Sequence, residues 1–323
     1  KKDKKSGLVL FSSGSTGEPK AMVHDLDRLI LSYKGKSTKS LRILVFLMFD
    51  HIGGINTLFN AVATGLTMVL PQNRDATHVA SLIEKHRVNI LPASPTFLNL
   101  LLMSNAHRDY DLNSLRLITY GTEPMPDSLL GRLHEQFPRA KFVQTFGTSE
   151  TGINKTKSKS SDSTYMKLDE DDIEYKIVEG ELWLRSDTQI EGYINRSNEN
   201  FTDDGWFKTG DIVEEDDDGY IKIVGRSKEV INVGGEKVKP TEVESEVMKM
   251  DSVDDCLAYG EDNPITGEVV NVDVVWGGSG QKSEIRKEIK QFCNDKMQKH
   301  KIPAKINLVE EVKYNDRFKK IRK

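Results

Sequence analysis

The residues best suited to chemistry begin near the N-terminus, in Phe11-Ser12-Ser13-Gly14-Ser15-Thr16-Gly17-Glu18-Pro19-Lys20. Two glycines let the backbone approach a ligand closely, and Ser12, Ser13, Ser15 and Thr16 supply hydroxyl donors. Exposed N–H groups in such a loop cradle phosphate oxygens, and Lys20 adds a mobile positive charge. The spacing is not GxxxxGK[ST], so this is no Walker loop. Taken alone, the run also reads as a flexible Ser/Gly linker.

Further chemical groups follow in order. Phe49-Asp50-His51-Ile52-Gly53-Gly54 places a histidine between apolar and glycine residues. It reads either as a substrate-bordering group or as a satisfied structural histidine. Tyr120-Gly121-Thr122-Glu123-Pro124-Met125-Pro126 reads by itself as a strand-to-helix turn. Phe146-Gly147-Thr148-Ser149-Glu150-Thr151-Gly152 offers a ring, hydroxyls and a hard carboxylate oxygen suited to Mg²⁺. Gly205-Trp206-Phe207-Lys208-Thr209-Gly210-Asp211 ends on a carboxylate. The segment 225–240 carries Arg226, Lys228 and the Gly234-Gly235 pair. Near the end, Asn315-Asp316-Arg317-Phe318-Lys319-Lys320-Ile321-Arg322 is strongly basic.

These groups need a scaffold, and the sequence predicts one. Strands are expected over 8–11, 41–49, 67–70, 89–92, 115–120 and 141–146. Helices are expected over 22–33, 55–62, 79–86, 96–103 and 127–137. Strands and helices of these lengths in alternation argue for α/β architecture with largely parallel sheets. Residues 155–164 are Lys/Ser-rich and read as a mobile loop or linker. Short strands follow at 174–178, 181–185, 212–214 and 220–224, with Asp216-Asp217-Asp218-Gly219 as a solvated hairpin tip. Beyond Arg226 a compact α+β pattern has helices at 241–250 and 283–296 and strands at 255–259, 269–275 and 305–309. In the first of these helices Glu242, Glu244 and Glu246 read as a solvated face.

The Ser/Thr/Gly-rich loop resembles the phosphate loop of the adenylate-forming enzymes: acyl- and aryl-CoA synthetases, nonribosomal-peptide adenylation domains and firefly luciferase. The later motifs match that family in order, with Phe146 for the usual Tyr and Ser149 for the usual Thr. The resemblance implies a large α/β domain over 1–225 and a small mobile α+β lid over 226–323, hinged near Lys228. Only about ten residues precede the loop, where such enzymes carry well over a hundred. The large domain is therefore expected as a truncated or minimal version.

Roles follow from the same resemblance. Ser12, Ser13, Gly14, Ser15, Thr16, Gly17 and Lys20 would hold the phosphates of ATP. Gly121, Thr122 and Glu123 would flank the adenine, and Phe146 would stack on it. Gly147, Thr148 and Ser149 would complete the nucleotide site, with Ser149 near the α-phosphate. Glu150 and Thr16 would bind Mg²⁺. Asp211 would accept from the ribose hydroxyls, and Arg226 would contact ribose or phosphate. Gly234 and Gly235 would line the pantetheine tunnel, and His51 would border the carboxylate substrate. Lys319, or Lys320 if the alignment slips by one, would reach the substrate carboxylate and the α-phosphate. Asn315 and Phe318 stand where the family has Thr and Gly.

The expected reaction is ATP-dependent activation of a small carboxylic acid to an acyl-adenylate, then transfer to the thiol of CoA. Transfer to a carrier-protein pantetheine and a non-catalytic nucleotide- or acyl-binding module are the alternatives. Composition agrees. The 323 residues carry 46 basic and 50 acidic side chains, a net charge of −4, which gives no reason for nucleic-acid binding. The tail from Lys313 to Lys323 holds six bases and one acid. It is too short a run to overturn that. No apolar run is long enough to span a membrane. Two cysteines exclude a disulfide scaffold and fit a reducing, cytoplasmic compartment. The other six histidines show no ligand spacing.

Overall fold

The computed structural model describes residues 6–12, 19–169 and 173–322. The first two strands, β1 (Gly7–Ser12) and β2 (Lys20–Asp25), form an antiparallel hairpin that brackets the Ser/Gly loop. The helix expected over 22–33 is therefore only its second half, α1 (Leu26–Leu31). Residues 22–25 pair with β1 instead, burying Met22 completely. Asp25 ends the strand by capping α1, its carboxylate accepting from the Arg28 N–H at 3.1 Å.

The α/β body runs through β3 (Arg42–Leu44), α2 (Ile52–Thr64), β4 (Thr67–Val69), α3 (Ala76–His86), β5 (Ile90–Ala93), α4 (Pro95–Met103) and α5 (Ala106–Asp109). It ends with β6 (Leu117–Tyr120), α6 (Asp127–Gln136) and β7 (Lys141–Gln144). The strands make one parallel sheet in the order β4-β3-β5-β6-β7. The strand expected over 41–49 stops at Leu44, and the chain then turns toward α2. Helix starts are chemically marked: Asp75 caps α3 and Ser94 caps α4, with Pro95 at the first helical turn. Core side chains Leu44, Leu91, Ile118 and Phe142 stand in register across four strands and so share one buried face of the sheet.

A second layer is antiparallel. After the short hairpin β8 (Phe146–Thr148) and β9 (Gly152–Asn154) come β10 (Thr156–Ser158), β11 (Met166–Leu168), β12 (Ile173–Val178) and β13 (Glu181–Ser186). The two-residue β14 (Gly192–Tyr193) returns to β2, and β15 (Phe207–Glu215) and β16 (Ile221–Arg226) complete a sheet ordered β10-β11-β16-β15-β13-β12. The segment 155–164, expected as a mobile linker, instead supplies β10. Its serines satisfy the exposed edge of β7: the Gln144 N–H donates to Ser158 Oγ and the Phe142 N–H to Ser161 Oγ, at 3.0 and 2.9 Å. The acidic tip is a turn, as expected, with Lys159 paired to Asp216 and Asp218.

The C-terminal unit contains β17 (Ile231–Val233), β18 (Glu236–Val238), α7 (Pro240–Val247), β19 (Val253–Asn263), β20 (Gly267–Trp276), α8 (Lys282–Lys296) and β21 (Lys305–Val309). β19 and β20 form a long hairpin, and β21 pairs parallel to β20. The chain is thus mixed α/β, with a large N-terminal domain and a small C-terminal one. Among the described residues no helix is long and apolar enough to cross a membrane.

Candidate active site

The carboxyl ends of the parallel strands decide where the chemistry gathers. Loops leaving β3, β5, β6 and β7 emerge on one edge, which is where open α/β sheets bind ligands. They carry Asp50-His51, Ser94-Pro95, Gly121–Pro126 and Thr145–Gly147. The C-terminal domain lies over this edge, and the two enclose a cavity of about 470 Å³. Its lining includes Thr96, Gly121, Thr122, Glu123, Phe146, Gly147, Asp211, Arg226, Lys319 and Lys320. Residues more than two hundred positions apart are thereby brought together.

Local structure explains the motif residues. A Cβ on Gly121 would lie 2.5 Å from the Thr145 carbonyl oxygen, and one on Gly147 would lie 2.5 Å from the Gly152 carbonyl oxygen. Thr122 sits at φ +76°, a strained conformation for a β-branched residue. Its hydroxyl is buried with no hydrogen-bond partner among the described residues, a donor on the cavity wall that a polar ligand would satisfy.

The Thr-Gly-Asp run is equally built. Thr209 Oγ1 donates to the Leu182 carbonyl at 2.6 Å and accepts from the Asp211 N–H at 2.9 Å. Gly210 takes φ +73°, and its N–H donates to Glu181. Asp211, 4% exposed, faces Arg226 across the β15–β16 register, with Arg226 Nε 2.8 Å from Oδ1. Burial pushes the Asp211 carboxyl up, while Arg226 and Lys319 pull it down.

The tail folds as a hairpin. The Asn315 N–H donates to the Lys319 carbonyl at 2.9 Å, and Asn315 Oδ1 accepts from the Arg317 and Lys319 N–H groups. Asn315 thus holds the turn. Adjacent extended residues point to opposite sides, and the two lysines separate accordingly. Lys320 Nζ lies 2.5 Å from Asp255 Oδ1 and donates to the Cys256 carbonyl at 2.8 Å. Lys319 instead feels Arg226, Glu123, Arg317 and Asp211, and burial lowers its pKa. Arg322 is tied to Glu229, to Glu244 and to the Ala258 carbonyl.

His51 caps α2, its Nδ1 accepting from the Gly53 N–H at 3.1 Å. Burial, together with the charges of Lys319 and Arg317, pushes its pKa down to about 4, so the ring is neutral. On the far side of the β8–β9 turn, Glu150 accepts from the Tyr193 hydroxyl at 2.7 Å and has Lys20 Nζ at 4.0 Å. Thr148 supports that turn through Thr151, and Ser149 lies between Thr148 and Glu150.

Not every expected residue gathers. Gly234 and Gly235 form the exposed β17–β18 turn at φ +63° and +94°, away from the cavity lining. Lys228 lies exposed in a single 3₁₀ turn at Ser227–Glu229. The Ser12 backbone pairs with Lys20. Ser13, Gly14, Ser15, Thr16 and Gly17 lie outside the described residues. Among the described residues no three His, Cys, Asp or Glu groups converge on a metal. A single hard carboxylate at Glu150 fits a Mg²⁺ carried mainly by phosphates.

Several contributors were missed. Glu244, read as part of a solvated face, is 4% exposed and accepts from the Ala258 N–H and from Arg322. Tyr193 carried no motif signal. The Glu244 signal lay in the helical spacing: Pro240, Val243, Glu244 and Val247 form one buried stripe of α7 at i, i+3, i+4 and i+7.

Comparison with known proteins agrees with this geometry. Residues 6–194 match the family described as AMP-binding enzyme, and residues 242–319 match the AMP-binding enzyme C-terminal domain. A long-chain-fatty-acid–CoA ligase of Mycobacterium tuberculosis is 28% identical over 95% of this chain and 64% of its own length. A 2-succinylbenzoate–CoA ligase of Bacillus licheniformis is 29% identical over 96% of this chain and 67% of its own. The structure of an anthranilate CoA ligase bound to anthranoyl-AMP superposes with a TM-score of 0.84 at 23% identity, over 97% of this chain and 65% of that one. The chain belongs to the AMP-binding enzyme family.

Proposed function

We propose that this AMP-binding family member is an ATP-dependent acid–CoA ligase that releases AMP. The observation that carries the reading is the meeting of Lys319 with Asp211 and Arg226 at one cavity, while Lys320 is held by Asp255. In the first step a substrate carboxylate oxygen attacks the α-phosphorus of ATP. A P–O bond to the acid forms, and the bond to pyrophosphate breaks. Lys319 neutralises charge developing between the carboxylate and the α-phosphate. Asp211 accepts from the ribose hydroxyls, and Arg226 donates to ribose or phosphate. Thr122, Gly121 and Glu123 flank the base, and Phe146 gives it an apolar face. Neutral His51 borders the carboxylate without competing for it as a cation. The phosphates lie against the loop from Ser12 to Lys20. Glu150, with Thr16, would hold Mg²⁺, which supplies neutralisation of phosphate charge.

In the second step a thiol sulfur attacks the acyl carbonyl, and AMP leaves with the electron pair of the broken C–O bond. On this reading residues 1–225 and 226–323 move relative to one another about Lys228. Gly234-Gly235, remote from the cavity in the present arrangement, then come to the thiol entrance. The CoA-ligase names of the similar proteins support CoA as the acceptor. The two buried free thiols suit a reducing, cytoplasmic setting.

ATP–pyrophosphate exchange with a panel of carboxylic acids tests the first step. Adding CoA or a pantetheinylated carrier protein then tests the acceptor. Exchange followed by thioester formation on CoA is expected. Product on the carrier alone would move the acceptor to a carrier protein. ATP binding without exchange by any acid would reduce the chain to a nucleotide-binding module.

A further inference from the structure

Phe318 is a bulky aromatic residue held at φ +52°. A side chain there is strained, and glycine would take the same conformation without cost. The ring's surroundings supply the compensation. Its centroid lies 5.2 Å from that of Phe46 and 5.5 Å from that of Phe97, the latter edge-on. Tyr314, across the hairpin, stacks on it at 5.3 Å and 15°. The Arg74 guanidinium lies 5.2 Å from the ring, and Arg74 Nη2 also donates to the Asp316 carbonyl at 2.7 Å. Phe46, Phe97 and Arg74 belong to the large domain, whereas Tyr314, Asp316 and Phe318 belong to the C-terminal hairpin.

We infer that Phe318 is a positioning residue: it docks the C-terminal hairpin, and with it Lys319, in an aromatic socket formed by Phe46, Phe97 and Arg74. Around the socket the hairpin also makes polar contacts with the large domain, such as the Lys320 N–H to Glu123 at 3.3 Å and Arg317 to Asp50 at 3.5 Å. These are long or exposed, and such contacts contribute little. The ring is the apolar anchor. Because it precedes Lys319 directly, it fixes where the Lys319 backbone enters the cavity.

The functional consequence rests on the adenylation role proposed for Lys319. Rotation of the small domain must draw the ring out of the socket and expose Phe46 and Phe97 to water. Phe318 therefore favours the arrangement that serves the first half-reaction and slows departure from it. Glycine at this position would keep the hairpin turn, relieve its strain and remove the anchor.

Hydrogen exchange on the chain of residues 1–323 tests the docking without any need for activity. In Phe318→Gly, exchange in peptides covering 314–320 and 95–103 should rise by about tenfold or more, equivalent to about 1.4 kcal/mol. Peptides from β19 and β20 should keep their protection. Arg74→Ala should raise the same two regions, and the double variant should fall short of additivity because both act on one socket. Unchanged protection at 314–320, or equal loss in β19 and β20, would overturn the inference. The half-reactions give a second arm. Phe318→Gly should lower pyrophosphate exchange while sparing thioester formation from supplied acyl-adenylate. A parent chain with no exchange at all would count against the proposed function and leave the docking result standing. Intact exchange with unchanged protection in the variant would overturn the docking role alone.

Discussion

Lys319 and Lys320 are neighbours in sequence with the same charge, yet the structure assigns them opposite behaviour on substitution. Lys320 and Asp255 have side chains only 13% and 7% exposed, and the ammonium is held by Asp255 Oδ1 and the Cys256 carbonyl. Lys320→Ala leaves a buried carboxylate without its cation. Breaking such a pair costs about 3 kcal/mol or more. For a chain of this size that lowers the melting transition by roughly 5 °C. Lys319 is the reverse case. Its charge is disfavoured by burial and by Arg226 and Arg317, so Lys319→Ala relieves an unfavourable charge and the melting temperature should not fall. Its loss should appear in chemistry instead: removing one group that stabilises developing charge typically costs on the order of 10²–10³ in rate. Differential scanning calorimetry and pyrophosphate exchange on both variants separate the effects. The reasoning is refuted if Lys319→Ala melts early and exchanges normally, or if Lys320→Ala keeps full stability while exchange disappears.

Asp211→Asn keeps the shape of the side chain but removes its charge, and ATP affinity should drop roughly 10- to 100-fold by calorimetric titration; an unchanged affinity would make Asp211 only the partner of Arg226. Glu150→Gln should raise the Mg²⁺ concentration needed for half-maximal exchange, with circular dichroism unaltered; parental Mg²⁺ dependence would remove this residue from the metal site. His24 is 1% exposed, and burial lowers its pKa from 6.5 to about 4. The unfolded chain therefore takes up this proton first as pH falls. The stability is fully present above about pH 6.5 and is lost progressively toward pH 4, by up to about 3 kcal/mol. His24→Leu should flatten that part of the stability–pH curve, and an equally steep curve in the variant would exclude His24 as its source.

Much of the fold was legible because its signals are local. The alternation from β3 to β7 rests on short apolar runs and capped helices, and Ser94-Pro95 announces α4 in two residues. The misreadings share one cause. Residues 22–25 have helical spacing, but β1 offers them a ladder, and pairing overrides propensity. Residues 155–164 have almost no apolar content, yet the open edge of β7 gives their serines N–H groups to satisfy.

For the site, the sequence by itself pointed to many of the candidate residues that line the cavity. Gly121, Gly147 and Gly210 are demanded by steric limits at single positions, and Thr209–Asp211 carries its own hydrogen-bond pattern. Tertiary structure decided what each charge faces. A one-residue step along an extended hairpin reverses a side chain's direction, so sequence could not separate Lys319 from Lys320. The packing of residues 314–322 between the two domains does so: it turns Lys320 to Asp255 and leaves Lys319 toward Asp211 and Arg226. The same packing makes Glu244 a buried acceptor, and it seats Phe318, at a position where glycine was expected, in a socket more than two hundred residues away. Charge and ring contacts fall off within a few ångströms, and which groups come that close is fixed only when the whole chain has packed.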